Sequence, residues 1–249
     1  MVHEPKGQPH VMNNYRALEQ QLSSGLGLTR RPVAIAFVDA PPAGVAKFSG
    51  SVPSGCSFWR LASDGRVFFT VPGDHYNCPI GSYTHNIPLP PDRANELGVT
   101  LGLMTDVGYL RMEEVTGIPV LPNTPTLVVY APLGDTPVDP DVVMLMGSAS
   151  SLMLVHEAAI SAGIAANFNT LGRPTCGAVP AALGGGMVAS LGCVGNRVYT
   201  DLSEGELYAA LRGKDLATLA DKARTVAAAN AQLQDYHRAR RQQLTIVPA

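Results

Sequence analysis

Charge is scarce in this chain, and much that scarcity excludes is functional. Only 15% of the 249 residues are charged, and 18 Lys and Arg nearly balance 20 Asp and Glu for a net charge of −2. That balance leaves no basic footprint for nucleic acid or an anionic membrane. The one basic cluster, Arg238, Arg240 and Arg241, falls near the end of an expected helix, where it complements the helix dipole. No apolar run approaches the ~18 residues needed to cross a bilayer. Met1 to His10 is polar and carries Pro5 and Pro9, so the apolar stretch of a secretory signal is missing. The expectation is a soluble, cytoplasmic protein without nucleic-acid or membrane partners. With 46% hydrophobic residues and so few charges, disorder is excluded and a substantial core is expected.

Familiar catalytic signatures are missing too. Gly184-Gly185-Gly186 is not followed by Lys-Ser/Thr, so there is no P-loop, and no GxGxxG opens a helix after a strand. His156-Glu157 lacks the second histidine of HExxH. Ser82 and Ser148 have no nucleophile signature around them.

Cysteine is also rare, but its four placements are informative. Gly55-Cys56, Cys176-Gly177 and Gly192-Cys193 each join a cysteine to a glycine, and Cys78 is followed by Pro79. Glycine permits tight turns and close approach, and proline stiffens a loop, so these thiols resemble ligands on rigid loops. Four thiolates complete the shell of an iron–sulfur cluster or a tetrahedral zinc. Against this, free cysteine is often a small core hydrophobe. The spacings, 21 residues within the first pair, 16 within the second and 97 between them, are unlike short CxxC knuckles. Structural disulfides rank behind both readings, because nothing marks the chain for secretion.

Local patterns sketch the elements. Asn13 to Ser24 reads as a helix stopped by Gly25, and Val33 to Val38 as a buried strand. Cys56 to Ala62 reads as a short helix broken at Asp64-Gly65, with Val67 to Val71 a strand after it. Pro72 to Pro91 reads as a long functional loop holding His75, Cys78, Tyr83 and His85. Asp92 to Met104 and Tyr109 to Gly117 look helical, and Thr126 to Ala131 and Val142 to Met146 look like strands. Ser148 to Gly163 is an expected helix capped by its leading serines, and Thr170 to Gly186 is loop-rich. Met187 to Cys193 and Arg197 to Leu202 suggest a hairpin about Gly195-Asn196. Ser203 and Glu206 are spaced as a capping box for a short helix, and Asp215 to Leu244 reads as one long C-terminal helix.

The expected class is α+β, with a mixed α/β arrangement as the alternative: a mixed sheet with flanking helices and a long C-terminal helix. The expected organisation is a single domain over 1–249. A weak echo between Cys56 with its following aromatic strand and Cys193 with Arg197-Val198-Tyr199-Thr200 hints at two similar halves, about 30–130 and 131–210, before the helix at 215–244.

Three groups of residues resemble one family. They are Cys56-Ser57-Phe58-Trp59-Arg60-Leu61-Ala62, then Asp74-His75-Tyr76-Asn77-Cys78-Pro79-Ile80-Gly81, then Gly172-Arg173-Pro174-Thr175-Cys176 with Gly192-Cys193-Val194-Gly195-Asn196-Arg197. Over roughly residues 30 to 210 the chain resembles the prokaryotic domain of unknown function 169, the "ArCR" group. The resemblance implies that these segments matter and carries no activity with it.

The leading reading of the residues is an iron–sulfur (4Fe-4S) protein with Cys56, Cys78, Cys176 and Cys193 as ligands. Zinc is the alternative, since stapling zinc sites usually draw on short knuckles whereas clusters accept distant loops. Such a protein would be a redox (oxidoreductase) or lyase-type enzyme on a small molecule, or would pass electrons to a partner. His75, His85 and Arg197 are the candidate catalytic residues, with Tyr83 beside them in the substrate-orienting set. For His75 a structural role ranks before acid–base work. Two further readings stay open: a non-catalytic small-molecule-binding protein with zinc-bound or structural cysteines, and a thiol enzyme with Cys78 as nucleophile. A homo-oligomer is compatible with either.

Overall fold

Val33–Val38 is apolar at every position, the pattern of a strand covered on both faces. The computed structural model describes residues 14–167 and 173–244 and bears this out. In chain order the elements are α1 (Tyr15–Leu26), β1 (Val33–Val38), α2 (Cys56–Ser63), β2 (Phe68–Thr70), α3 (Pro79–Thr84), α4 (Glu96–Asp106) and α5 (Met112–Val115). Next come β3 (Leu127–Pro132), β4 (Val142–Ser148), α6 (Ala149–Ser161), β5 (Ala166–Asn167) and α7 (Ala178–Leu183). The chain then runs through β6 (Met187–Ser190), α8 (Val194–Thr200), β7 (Glu206–Arg212) and α9 (Leu216–Gln243).

The strands form one sheet in the order β2-β3-β1-β4-β7-β6-β5, antiparallel throughout except for the parallel β5–β6 edge. The fold is therefore α+β. Strands from both parts of the chain meet at the β1–β4 pair, where Val33 faces Met144 and Ile35 faces Val142.

Alternation along the central strands makes two cores. Val33, Ile35, Met144, Met146, Tyr208 and Ala210 point to one face, and α2, α7 and the buried Cys56 and Cys176 pack there. Ala34, Val143, Leu145, Ala209 and Leu211 point to the other, beneath α1, α6 and α9. Each fully buried Leu, Val or Met contributes about 1.5–3 kcal/mol to this sandwiching. The result is three layers, helices over sheet over helices, with all four cysteines associated with helix starts on the Trp59 side.

Several boundaries differ from the sequence reading. α1 runs through Gly25 and ends at Gly27, whose left-handed φ of 62° returns its N–H to the Ser23 carbonyl. The stretch 72–91 is not one loop: it coils into a 3-10 turn at Pro72–His75 and then α3. The expected helix at Tyr109–Gly117 shrinks to α5, and the loop-rich stretch after Arg173 contains α7; Thr170 to Gly172 lies outside the described residues. The hairpin about Gly195-Asn196 is not formed. Those residues are helical, in α8, and the strand paired with β6 is β7. With Arg197-Val198-Tyr199-Thr200 in a helix, the echo of the first aromatic strand fails as well. Ser203 and Glu206 do bond reciprocally, Ser203 N–H to Glu206 Oε2 at 2.9 Å and Glu206 N–H to Ser203 O at 3.0 Å, but they close a turn entering β7. None of the described helices is long and apolar enough to cross a membrane.

Candidate functional site

Each cysteine stands where a helix begins. Cys56 is the first residue of α2, Cys78 caps α3, Cys176 lies in the 3-10 turn leading into α7, and Cys193 precedes α8 as its N-terminal cap residue. Local sequence explains the starts. Pro79 presets the first helical φ of α3, and the Cys78 sulfur accepts the Gly81 N–H at 3.2 Å. Gly81 is glycine because a Cβ there would stand 2.9 Å from the Cys78 sulfur.

Tertiary folding brings the four together. Burial pushes the Cys56 thiol well up, and the charges of Cys176, Cys78 and Cys193 push it the same way. Burial raises Cys176 too, with Cys78 and Cys193 adding to it. Cys78 is raised by burial and by Cys193, while the N–H groups of Gly55 and Gly81 pull it back. All four are free thiols; Cys56 and Cys176 are buried, and Cys78 and Cys193 are half-buried. The site thus has an inner pair and an outer pair that solvent reaches.

The segments holding them are tied in a closed ring. The Gly55 N–H, next to Cys56, acts on the Cys78 sulfur. The Thr84 hydroxyl, six residues past Cys78, acts on Cys176. Thr175, next to Cys176, accepts the Cys193 N–H at 2.6 Å. Asn196, in the first turn of helix α8 after Cys193, acts on Cys56. Every cysteine segment therefore touches the next.

As donors, four thiols in an apolar setting with backbone N–H groups directed at sulfur suit a soft metal centre. Among the described residues, no three His, Cys, Asp or Glu side chains are drawn close enough to hold one metal ion. A tetrahedral zinc needs sulfurs about 3.8 Å apart, as its ~2.3 Å Zn–S bonds require. The four cysteine segments converge, and the side chains as placed do not form a ready-made site for one ion.

Both candidate histidines lie beside this group. His75 is 2% exposed, its ring 5.0 Å from Phe58 and 5.7 Å from the ring of His85, which is equally buried. Burial, with the charge of His85, lowers His75 to about 3. Burial lowers His85 to about 4, against the pull of the Gly81 carbonyl. Both are neutral at physiological pH. Arg197 is placed differently: its guanidinium is taken up by the backbone carbonyls of Ser203, Leu191 and Glu206. It braces the turn into β7. Tyr83 is half-buried on α3.

Thr84 and Tyr130 belong to the site without a signal in the sequence reading, whereas Thr175 and Asn196 fall inside the resemblance segments but carry no individual role there. Tyr130, a polar residue inside the apolar run of β3, is the one that pattern alone could have flagged. Asn196 was hidden by reading Gly195-Asn196 as a turn.

No curated protein and no solved structure matches this chain. The model of the family described as domain of unknown function 169, uncharacterised ArCR, matches residues 21–222, a span that holds all four cysteines, and the chain belongs to that family.

Proposed function

We propose that this protein is a cytoplasmic iron–sulfur protein whose cluster is held by Cys56, Cys78, Cys176 and Cys193. The observation that carries the reading is the closed ring of contacts joining four cysteine segments that lie far apart in sequence.

When bound, such a cluster would supply one-electron transfer, or a Lewis-acidic iron if one position is left open. The chain's own residues do the rest. Gly55 and Gly81 direct N–H groups at the Cys78 sulfur, which stabilises charge there. Phe58, Trp59 and Tyr130 keep the inner side apolar, while half-buried Cys78 and Cys193 leave an outer edge for a substrate or a redox partner. The raised Cys78 thiol works against the nucleophile alternative, since a nucleophilic cysteine needs a depressed pKa. Reducing cytoplasm keeps all four thiols available.

Anaerobic purification with iron and sulfide analysis tests the reading. A coloured protein with iron and acid-labile sulfide is expected, and Cys→Ser at each of the four positions should lower both. Colourless protein with zinc, or variants that leave metal content unchanged, would overturn it.

A further inference from the structure

Five buried polar atoms around this site have no hydrogen-bond partner among the described residues, Trp59 Nε1, Asn196 Oδ1, His75 Nδ1, His85 Nε2 and Tyr130 Oη, and the last three belong to neighbouring rings. All three residues are at most 2% exposed. Their chemistry can be assigned from their other contacts. His85 Nδ1 is 3.0 Å from the Gly81 carbonyl, which can only accept, so Nδ1 carries the hydrogen and Nε2 presents a lone pair. His75 Nε2 is 2.9 Å from Thr70 Oγ1, which is also 3.3 Å from the Val128 carbonyl; both bonds are made only when Nε2 carries the hydrogen and the hydroxyl is donated to Val128, and Nδ1 then presents a lone pair. Tyr130 adds an O–H.

These groups lie close together. The two imidazoles are 5.7 Å apart, and His75 is 6.5 Å from the Tyr130 ring. A Cβ on Gly55 would be 3.9 Å from His75 Nδ1, so the lone pair faces a glycine, and the Tyr130 hydroxyl lies within electrostatic range of Cys56. All of this is next to the inner pair of thiols.

We infer that His75, His85 and Tyr130 form a binding site for a small uncharged molecule that donates N–H or O–H bonds, an alcohol or amide rather than an acid. Two lone pairs call for donors, and the phenol answers one acceptor. An anion is disfavoured because no Lys or Arg is among the buried residues described, so its charge would go unpaired. A single metal ion is disfavoured because no third His, Cys, Asp or Glu joins the imidazoles. The assignment rests on the proposed function only in making this molecule the substrate of the cysteine site; its binding stands separately.

The test uses the full chain, purified anaerobically and labelled with nitrogen-15 histidine. Formamide, urea and ethylene glycol are titrated in, with formate and acetate as controls. The lone-pair nitrogens of His75 and His85 should give unprotonated resonances that shift saturably with at least one neutral probe and with neither anion. His75→Phe and His85→Phe should each weaken that binding about tenfold or more, since a site built to hydrogen-bond rejects partners it cannot pair; if either variant fails to fold, the wild-type shifts decide. Opposite tautomers, equal response to formate, or a bound water that no probe displaces would overturn the inference. Iron and sulfide are measured on the same samples, so metal-free protein that still binds the probe defeats the cluster reading alone, and loaded protein that ignores every probe defeats this one alone.

Discussion

Gly81 shows how narrowly single residues define the cysteine site. A Cβ there would meet the Cys78 sulfur at 2.9 Å, closer than real Cβ atoms approach, and its Cβ at a tight 3.3 Å. Gly81→Ala should therefore displace Cys78, lower bound iron and sulfide as far as Cys78→Ser does, and cost only about 1–2 kcal/mol of stability in urea melts. Glu206 is the corresponding residue for acid sensitivity. Burial alone would raise its carboxyl, yet bonds from Arg30, Thr29 and Ser203 hold it down from 4.5 to about 2. Folding therefore weakens its proton binding, so its stabilisation is complete above about pH 4.5 and is lost as pH falls toward 2. Glu206→Gln should destabilise the protein by roughly 2 kcal/mol at pH 7, leaving Arg30 half-satisfied. The gap between variant and wild-type urea midpoints should close as pH drops from 4.5 to 2.5; a constant gap would mean that the ion pair is not the cause.

Elements differ in how far their local sequence decided them. α9 is buried only near its start, at Leu216, Leu219, Ala220 and Ala223, and every described residue from 231 onward is exposed. Deleting residues 231–249 should leave the thermal midpoint within about 2 °C, whereas Leu219→Ala should cost about 3 kcal/mol through the cavity it opens. Calorimetry on the two variants separates the anchored and projecting parts. α8 is the contrary case. Val194–Thr200 offers β-branched and aromatic residues and a Gly-Asn pair, which locally favour a hairpin. Two tertiary ties outweigh that preference: the Cys193 N–H bonded to Thr175, and the Arg197 guanidinium holding three backbone carbonyls.

For the whole molecule, the raised thiols would make loading of the proposed cluster a proton-linked event. Cys56, Cys78 and Cys176 are all held above the ordinary thiol value, mainly by burial, so at neutral pH they stay protonated until a cation enters. Loading should release protons, and affinity should rise with pH between 6 and 8, read as proton release during reconstitution with iron and sulfide. Removing the proposed cluster with a chelator under reductant should lower the thermal midpoint and expose the cysteine segments together to limited proteolysis, because the ring of contacts couples them. Segment-by-segment cleavage would instead show that they are held independently.

The class of the fold, the strands β1, β3 and β4, the helices α2, α6 and α9, and the four cysteine positions were all legible in the sequence. Each depends on local information: an unbroken apolar run, a serine cap, a glycine or proline beside a thiol. What the sequence alone could not decide is where those pieces meet. Cys78 and Cys176 are separated by 97 residues, and only the strand order, which lays β1 between β3 and β4 and β7 between β4 and β6, brings their helix starts to one face. The same packing turned Arg197 into a brace, buried His75 and His85 as neutral acceptors, and set Tyr130 toward Cys56. Those outcomes depend on which partner a polar atom finds, and a partner far away in the chain is decided by packing, not by neighbouring residues.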